Sequence, residues 1–413
     1  MRTKGSPQVM RSKERFNGEL YRRSTEAIAH GALTNSKRPE SFVKGIYPTH
    51  LKKGKGCYVW DTNDNQYLDF ICGLGSNLLG YAYDDICDAI DAQSRQGTVL
   101  SLGTELEIRT AERVKEFVPF VESVRFLKTG SDACTAALTI ARSYTRRFEI
   151  LSSGYHGWHP EFTSLTLPAW GVTPHADIKA FDKVEDIHNR IAAIIVEPIE
   201  TDLSDGRLDY LRAVRKRCTD IGALLIFDEV ITGFRFPQYS VAQEYDIIPD
   251  IICLGKAVAN GMPLSIVAGK KSVMESRYFV SSTFAGETLS LASALKTMDL
   301  LQNRHQLSLL WEKGAQFLFR FNEIWREGLS LQGYPTRAKI VGDDLTKALF
   351  MQECCKAGIL VGPSFFFIFP HIEVMDEALS TFSDILNRIK RGEVRLLGEM
   401  PQTPFAQRVR GDE

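Results

Sequence analysis

Five short apolar runs between residues 123 and 269 constrain the fold more than any other feature of the sequence. They read SVRFL (123–127), AAIIVEP (192–198), ALLIFDEV (223–230), IICLG (251–255) and SIVAG (265–269). Each has the length and apolar character of a strand that is buried on both faces. Helix-length amphipathic segments such as 131–147 and 208–221 lie between them. This alternation predicts an α/β fold with a mostly parallel central sheet flanked by helices.

The segments on either side of this region have a different character. Residues 1–56 are polar and irregular, which predicts an N-terminal arm. In CYVWDTNDNQYLDF (57–70), two β-rich runs flank a turn-forming DTNDN, which predicts a hairpin. From about residue 300 the pattern predicts one or two long helices leading into a smaller domain, with a loose tail over 401–413. We therefore predict an arm (1–56), a large domain (57–300) and a small α+β domain with its tail (301–413).

Charge and cysteine usage narrow the classes of function. A formal net charge of −1 over 413 residues gives no electrostatic reason to expect nucleic acid or an anionic membrane as a partner. No apolar stretch reaches the ~18 residues of a transmembrane helix, and the first 25 residues lack the apolar core of a signal peptide. The eight cysteines show no CxxC spacing, which indicates reduced thiols rather than a disulfide framework or zinc site. These features predict a cytoplasmic protein.

Polar and aromatic residues follow several of the predicted strands, where ligands bind in open parallel sheets. They are Thr129, Gly130 and Ser131 before a helix built on small residues, Tyr155 in SGYHGWHP, Asp228 after LLIF, and Lys256 after IICLG. Taken singly, each has an ordinary structural explanation as a helix cap, a packed ring or a strand end that reaches water.

Taken together, these residues match the requirements of pyridoxal phosphate (PLP). PLP needs an amine for a Schiff base, a carboxylate for the pyridine nitrogen, an anion site at a helix N-terminus and an aromatic face. Burial lowers the pKa of a lysine and so favours its reactive neutral form. A nicotinamide enzyme is a weaker hypothesis, because no GxGxxG opens a helix after an early strand.

The order of the motifs carries a family resemblance. GCYVWDTNDNQYLDF, TGSDA, YHGW, VEPI, IFDEVITGFR, LGKAVANGMP and STFAGETLSLASA follow one another along the chain. This order resembles the class III aminotransferases of the fold-type I PLP enzymes, in particular their glutamate-1-semialdehyde aminomutase branch. The resemblance covers roughly residues 28–300 and extends only loosely into the C-terminal domain. Its most specific part is FDEVITGFR with Lys256 placed 28 residues after Asp228.

The resemblance implies a role for each matching cofactor residue. Lys256 would form the Schiff base with PLP and then carry a proton between substrate and cofactor. Asp228 would pair with the pyridine nitrogen and keep it protonated, because an opposite charge favours the charged form. The remaining implied cofactor contacts are Thr129, Gly130 and Ser131 at the phosphate, Tyr155 and Val230 on the two ring faces, and Glu197 near the ring hydroxyl.

Further residues are implied at the substrate and at a second subunit. Thr283 matches a threonine that reaches the phosphate of the neighbouring subunit, which predicts a homodimer. HGALTNSKRPESF resembles the substrate arm of the aminomutases, so Ser36 and Arg38 are expected to bind a substrate carboxylate or phosphate. His156 and His371 are expected to be structural.

The chain also departs from the family pattern near the substrate. Glu287 and Thr288 stand where an Asn-Pro pair is usual, and TGSDA replaces the commoner Ser-Gly-Thr-Glu-Ala. The loop after YHGW lacks a glycine-rich lid. These changes favour a divergent branch with its own substrate, such as a sugar-derived or other polyhydroxylated aldehyde.

The sequence thus predicts a PLP-dependent aminotransferase that moves an amino group between an amino donor and an aldehyde or ketone acceptor. One alternative is an aminomutase, which moves the amine within one substrate, and racemases and decarboxylases share the same fold. Another alternative is a non-catalytic binding protein. Retention of Lys256 and Asp228 argues against it, because a scaffold has no need of a buried lysine.

Overall fold

The computed structural model describes residues 15–166 and 176–402. The strands are β1 (Leu51–Lys55), β2 (Tyr58–Asp61), β3 (Gln66–Asp69), β4 (Ser123–Leu127), β5 (Glu149–Ser153), β6 (Ile178–Ala180), β7 (Ile191–Val196), β8 (Leu224–Glu229), β9 (Ile251–Leu254), β10 (Ser265–Gly269), β11 (Leu329–Tyr334), β12 (Arg337–Gly342), β13 (Ile359–Leu360) and β14 (Ser364–Phe366).

The helices alternate with these strands through the middle of the chain. They are α1 (Gly18–Ala27), α2 (Cys72–Gly75), α3 (Asp84–Ser94), α4 (Glu105–Phe117), α5 (Gly130–Thr145), α6 (Pro160–Thr166), α7 (Asp205–Ile221), α8 (Val241–Glu244), α9 (Lys271–Met274), α10 (Thr288–Leu300), α11 (Arg304–Trp325), α12 (Asp344–Lys356) and α13 (His371–Lys390). None of the helices in the described residues is long and apolar enough to cross a membrane.

A seven-stranded sheet in the order β4-β10-β9-β8-β7-β5-β6 forms the centre of the molecule. Strands β5 to β9 of this sheet pair in parallel, whereas β10 is antiparallel to both of its neighbours, β4 and β9. Strand β10 can reverse direction because residues 255–264, which join it to β9, contain no crossover helix of the kind that parallel strands require. The predicted α/β fold with a mostly parallel sheet is confirmed.

Burial explains why the central strands have continuous apolar sequences. Every residue of β7, β8, β9 and β10 is buried. Successive side chains point to opposite faces, so Leu225 packs in a cluster with Leu211 of α7, whereas Ile226 packs in a cluster with Ala137 of α5. Helices therefore cover both faces, and the carboxyl ends of the parallel strands are left as the accessible edge.

Two smaller sheets join the ends of the chain. The predicted hairpin is confirmed, with β2 antiparallel to β3. The short strand β13 pairs in parallel with β3, which ties residues near 360 to the N-terminal hairpin. Strands β11, β12 and β14 form the third sheet, and α11, α12 and α13 pack beside it. Phe70, which directly follows β3, stacks on Phe365 of β14 at 4.3 Å between ring centroids.

The N-terminal segment is more regular than the sequence predicted. Helix α1 occupies residues that were expected to be irregular, and the side chain of Asn17 accepts a hydrogen bond from the amide of Leu20 at its N-terminus. An asparagine at this position satisfies one of the otherwise unpaired amides of the first turn. Residues 403–413, which make up most of the predicted loose tail, lie outside the described residues.

Candidate active site

A cavity of about 320 Å³ lies at the carboxyl edge of the central sheet. Its volume is in the range of small-molecule sites. Eight residues singled out in the sequence line it, namely Thr129, Gly130, Ser131, Tyr155, Glu197, Asp228, Val230 and Lys256. They come together because β4, β5, β7, β8 and β9 all end at this edge. The antiparallel strand β10 begins there, which adds residues 261–264 to the wall.

Asp228 lies near the end of β8 and is held in one orientation by two donors. Its Oδ1 accepts a hydrogen bond from the amide of Val230 at 3.1 Å. Its Oδ2 lies 2.8 Å from Nδ1 of His156, and both side chains are buried. Burial opposes a charged ring, but the interactions with Asp228 and, to a smaller extent, Cys134 raise the pKa of His156 to about 10. The Asp228 carboxylate therefore has the cationic imidazole ring of His156 as its hydrogen-bond partner.

This contact corrects the expectation that His156 is merely structural. His156 belongs to the same YHGW string as Tyr155, and it too lines the cavity. The sequence places it 72 residues from Asp228, so only the parallel pairing of β5, β7 and β8 brings the two side chains together. His371 does have a packing role. It is buried, stacks on Phe70 at 4.2 Å, and burial lowers its pKa to about 3.

Lys256 follows β9 in a strained backbone conformation. Its φ of 45° lies in the left-handed region, which is sparsely populated by bulky residues and is often found at functional sites. The side chain is partly buried. Burial lowers the pKa of Lys256 to about 8, and Arg337 and Arg235 act in the same direction. A much larger fraction of this amine is therefore neutral near pH 7 than for an ordinary lysine.

The first turn of α5 forms the phosphate-sized end of the cavity. Thr129 caps the helix, because its Oγ1 accepts from the amide of Asp132 at 3.2 Å while Asp132 accepts from the amide of Thr129 at 2.8 Å. A Cβ at Gly130 would lie 2.8 Å from the side chain of Val230, so only glycine fits there. The start of a 16-residue helix favours bound anions through its amides and dipole.

The YHGW loop packs directly against this turn. Gly157 has a φ of 108°, and a Cβ there would meet the Oγ of Ser131 at 2.1 Å. The same Oγ accepts a hydrogen bond from the amide of Trp158 at 3.2 Å. The neighbouring Tyr155 side chain is 55% exposed at the cavity. Its ring is therefore accessible to a flat ligand.

Glu197 directly follows β7 and forms an ion pair with Arg337, the first residue of β12. Its Oε1 lies 3.2 Å from Nη1 of Arg337, and the two side chains are only 7% and 6% exposed. The same nitrogen donates to the carbonyl of Glu200 at 3.0 Å. Burial raises the pKa of Glu197, although Arg337 opposes this shift. Sequence reasoning missed Arg337 because no local motif marks it and its partner is 140 residues away.

Three of the predicted site residues do not line this cavity. Ser36 and Arg38 lie in short 3₁₀ turns at residues 35–41, which belong to the N-terminal segment. Thr283 is exposed in the loop that precedes α10. In the described part of one chain, the cavity is therefore lined by all the predicted cofactor residues except Thr283. The predicted substrate residues do not line it.

The residues that line the cavity fit PLP. A partly buried amine, a supported carboxylate, a helix N-terminus and an accessible aromatic ring surround one space. The glycines at 130 and 157 leave room at positions where a side chain would collide with neighbouring residues. This combination of donors and space is the one that the cofactor requires.

Comparison with known proteins identifies the family. A family model described as aminotransferase class-III matches residues 43–171 and 151–389. A 3-aminobutyryl-CoA aminotransferase from Cloacimonas acidaminovorans (strain Evry) is 33% identical over 309 residues, covering 70% of this chain and 74% of the relative. A glutamate-1-semialdehyde 2,1-aminomutase from Sulfurihydrogenibium sp. (strain YO3AOP1) is 34% identical over 333 residues, covering 72% and 76%.

A solved structure shares the fold. The FumI protein of Sphingopyxis sp. MTA144, in its PLP internal aldimine form, superposes with a TM-score of 0.83 at 24% sequence identity. The match covers 93% of this chain and 98% of FumI. The family model spans well over half of the chain, and it agrees with the family resemblance of the sequence motifs. The chain therefore belongs to the class III aminotransferase family and is a PLP-dependent enzyme.

Proposed function

We propose that this enzyme is an aminotransferase that moves an amino group from an amino donor to an aldehyde or ketone acceptor, with Lys256 as the lysine that would form the Schiff base with PLP. The observation that carries the proposal is the position of the Lys256 amine, whose pKa is lowered to about 8, in one cavity with the Asp228–His156 pair. When bound, PLP supplies an aldehyde that joins to amines and a ring that accepts electrons.

The side chains of this cavity have different roles in the proposed reaction. Lys256 takes a proton from the substrate carbon and returns one to the product, and a pKa near neutrality suits both transfers. Asp228, fixed by Val230 and His156, holds a negative charge opposite the pyridine nitrogen. The proposed cofactor contacts are completed by Thr129, Gly130 and Ser131 at the phosphate, Tyr155 and Val230 on the ring faces, and Glu197 beside the ring.

The structure around Glu287 and Thr288 supports a substrate different from that of the aminomutases. The amide of Thr288 donates to the carbonyl of Thr98 at 2.9 Å, a hydrogen bond that the usual proline could not make. The Thr288 hydroxyl also donates to the carbonyl of Gly97 at 2.7 Å. These bonds fix the 97–98 segment to α10. We propose a polyhydroxylated aldehyde as acceptor and retain Ser36 and Arg38 as proposed substrate contacts.

An amino-donor panel tests the proposed reaction. The PLP-loaded enzyme is mixed with L-glutamate, L-alanine or 3-aminobutyrate, and the visible absorbance of the cofactor is followed. We expect at least one donor to convert the cofactor to its aminated form, and a polyhydroxylated aldehyde to reverse the change. If no donor changes the absorbance while glutamate-1-semialdehyde is isomerised, the enzyme is an aminomutase. Matches to aminomutases make that the second candidate.

We also propose that the enzyme is a homodimer in which Thr283 binds the cofactor phosphate of the neighbouring subunit. Thr283 is exposed and lies between Phe279 and Phe284, which are 87% and 57% exposed. Leu102, in the segment before α4, is also 84% exposed. Large apolar side chains grouped on a surface are characteristic of an interaction site. A second copy of this chain would cover them.

Mixing two inactive variants tests the shared site. In a mixed dimer of Lys256→Ala and Thr283→Ala chains, one cavity has both an intact lysine and an intact threonine from its neighbour. We expect the mixture to recover about a quarter of wild-type activity, because half of randomly paired dimers are mixed. A mixture of Lys256→Ala and Asp228→Asn chains is the control and should recover nothing. Equal recovery in both mixtures would rule out the crossed contact.

A further inference from the structure

A largely buried ion pair lies at the edge of the cavity, beside the proposed phosphate site. Lys128 directly precedes Thr129 and lines the cavity. Its Nζ is 2.7 Å from Oε1 of Glu287, and the two side chains are 17% and 11% exposed. The ammonium also donates to the carbonyl of Pro263 at 3.1 Å and to the Ser290 hydroxyl at 3.4 Å. The end of β4, the 261–264 wall and the start of α10 therefore meet at this lysine.

The carboxylate of Glu287 is fixed in place by helix α10. Its Oε2 accepts from the amide of Leu289 at 2.9 Å, and its Oε1 accepts from the amide of Ser290 at 3.1 Å. Burial opposes ionisation, but the hydrogen bonds with Lys128 and Ser290 lower the pKa of Glu287. The side chain therefore carries a negative charge at neutral pH. This is the glutamate that replaces the usual asparagine of the family pattern.

A fixed negative charge near a phosphate site weakens phosphate binding unless a cation offsets it. Lys128 is that cation, and it is next to the helix start formed by Thr129, Gly130 and Ser131. Charges that are largely removed from solvent interact more strongly than exposed ones, because less water screens them. The net potential at this end of the cavity therefore depends on both members of the pair.

We infer that the charge of Lys128, whose ammonium is held by Glu287, Pro263 and Ser290, favours the phosphate of the ligand at the start of α5, and that Glu287 partly cancels this charge. The Lys128–Glu287 pair then sets the affinity of the cavity for phosphate-bearing ligands. This inference rests on the proposed function, in which the start of α5 holds the phosphate of PLP.

Two substitutions separate this electrostatic role from a purely structural one. Lys128→Met leaves Glu287 uncompensated and should weaken PLP binding about tenfold. Glu287→Gln removes the negative charge but keeps an oxygen that can accept from the α10 amides, so it should strengthen PLP binding several-fold. The double variant should lie near the wild type. A pair that only joins three chain segments would instead make both single variants weaker.

The experiment is equilibrium binding of PLP and of pyridoxal, which lacks the phosphate, to the apoenzyme. We expect opposite shifts of the two single variants for PLP and no shift for pyridoxal. Lys271→Met is the matched control, because Lys271 pairs with Glu275 on the surface with 66% and 61% exposure. It should change neither affinity.

The possible results are distinguishable. If the wild type binds PLP but Glu287→Gln weakens binding, or if pyridoxal affinity shifts as much as PLP affinity, the inference is wrong. The Glu287→Gln variant tests the inference on its own, so the test stands even if Lys128→Met does not fold. If the wild type does not bind PLP at all, the proposed function itself fails.

Discussion

Replacing Lys256 by alanine is expected to reduce amino transfer at least ~10³-fold, because both the covalent attachment and the proton transfer depend on this amine. The measurement is a single-turnover reaction of the PLP-loaded protein with its best amino donor. Lys271→Ala, which removes an exposed lysine outside the cavity, should retain the wild-type rate. A Lys256→Ala variant that kept a tenth of the wild-type rate would show that the reaction does not use this amine.

The pH dependence of the reactivity of the Lys256 amine in the apoenzyme is a second test of its role. Because burial lowers the pKa of Lys256 to about 8, its neutral fraction should rise from about pH 7, reach one half near pH 8 and level off above about pH 9. An ordinary lysine, with a pKa near ~10.4, would keep gaining reactivity well beyond that pH. Reductive trapping with a small aldehyde, followed by mass mapping, measures the modified fraction at Lys256 at each pH. The exposed Lys271 supplies the comparison in the same sample.

Replacing Asp228 by asparagine is expected to lower the rate ~10²–10³-fold, because the amide cannot place a negative charge opposite the pyridine nitrogen. The shape of the residue is kept, so the amide of Val230 retains an acceptor. Asp209→Asn is the control, since Asp209 is largely exposed on α7. A wild-type rate in the Asp228→Asn variant would show that the reaction does not depend on the Asp228 carboxylate.

The same substitution should change the titration of His156. Burial alone lowers the pKa of this ring, whereas the interactions with Asp228 and, to a smaller extent, Cys134 raise it to about 10. With asparagine at 228 the largest contribution that raises this pKa is lost and only Cys134 opposes the effect of burial, so the pKa of His156 should fall. Nuclear magnetic resonance of the ring nitrogens would report this shift in the apoenzyme. An unchanged titration would mean that the carboxylate does not set the charge of the ring.

The parts of the site that could be predicted from the sequence are those encoded locally. Strands β4 and β10 have the predicted bounds, and β10 is buried throughout as predicted. The predicted burial of β4 on both faces is wrong, because its first three residues, which include Arg125, are only partly buried. Because β8 and β9 pair in parallel, Asp228 and Lys256 lie at the same carboxyl edge of the sheet, whatever the path of the loops between the strands. The cofactor followed from residue types at these strand ends and the family from the resemblance of the motif order, and both are confirmed by the family match.

The parts that could not be predicted depend on long-range contacts. The Glu197–Arg337 ion pair joins the end of β7 to the start of β12 and has no pattern in either segment. The contact of His156 with Asp228 depends on the alignment of β5 with β8 through β7. Strand β13 is only two residues long, yet it pairs with β3, which lies nearly 300 residues earlier in the chain. Local propensity carries no information about such partners.

The antiparallel strand β10 has a mechanical consequence. The segment that contains Lys256 is anchored at both ends, since it leaves the sheet at β9 and returns to it at β10 within ten residues. It cannot move without disturbing two buried strands. The backbone that carries the reacting amine is therefore held in place relative to the sheet. Movement of the amine is thus left to the torsions of the Lys256 side chain.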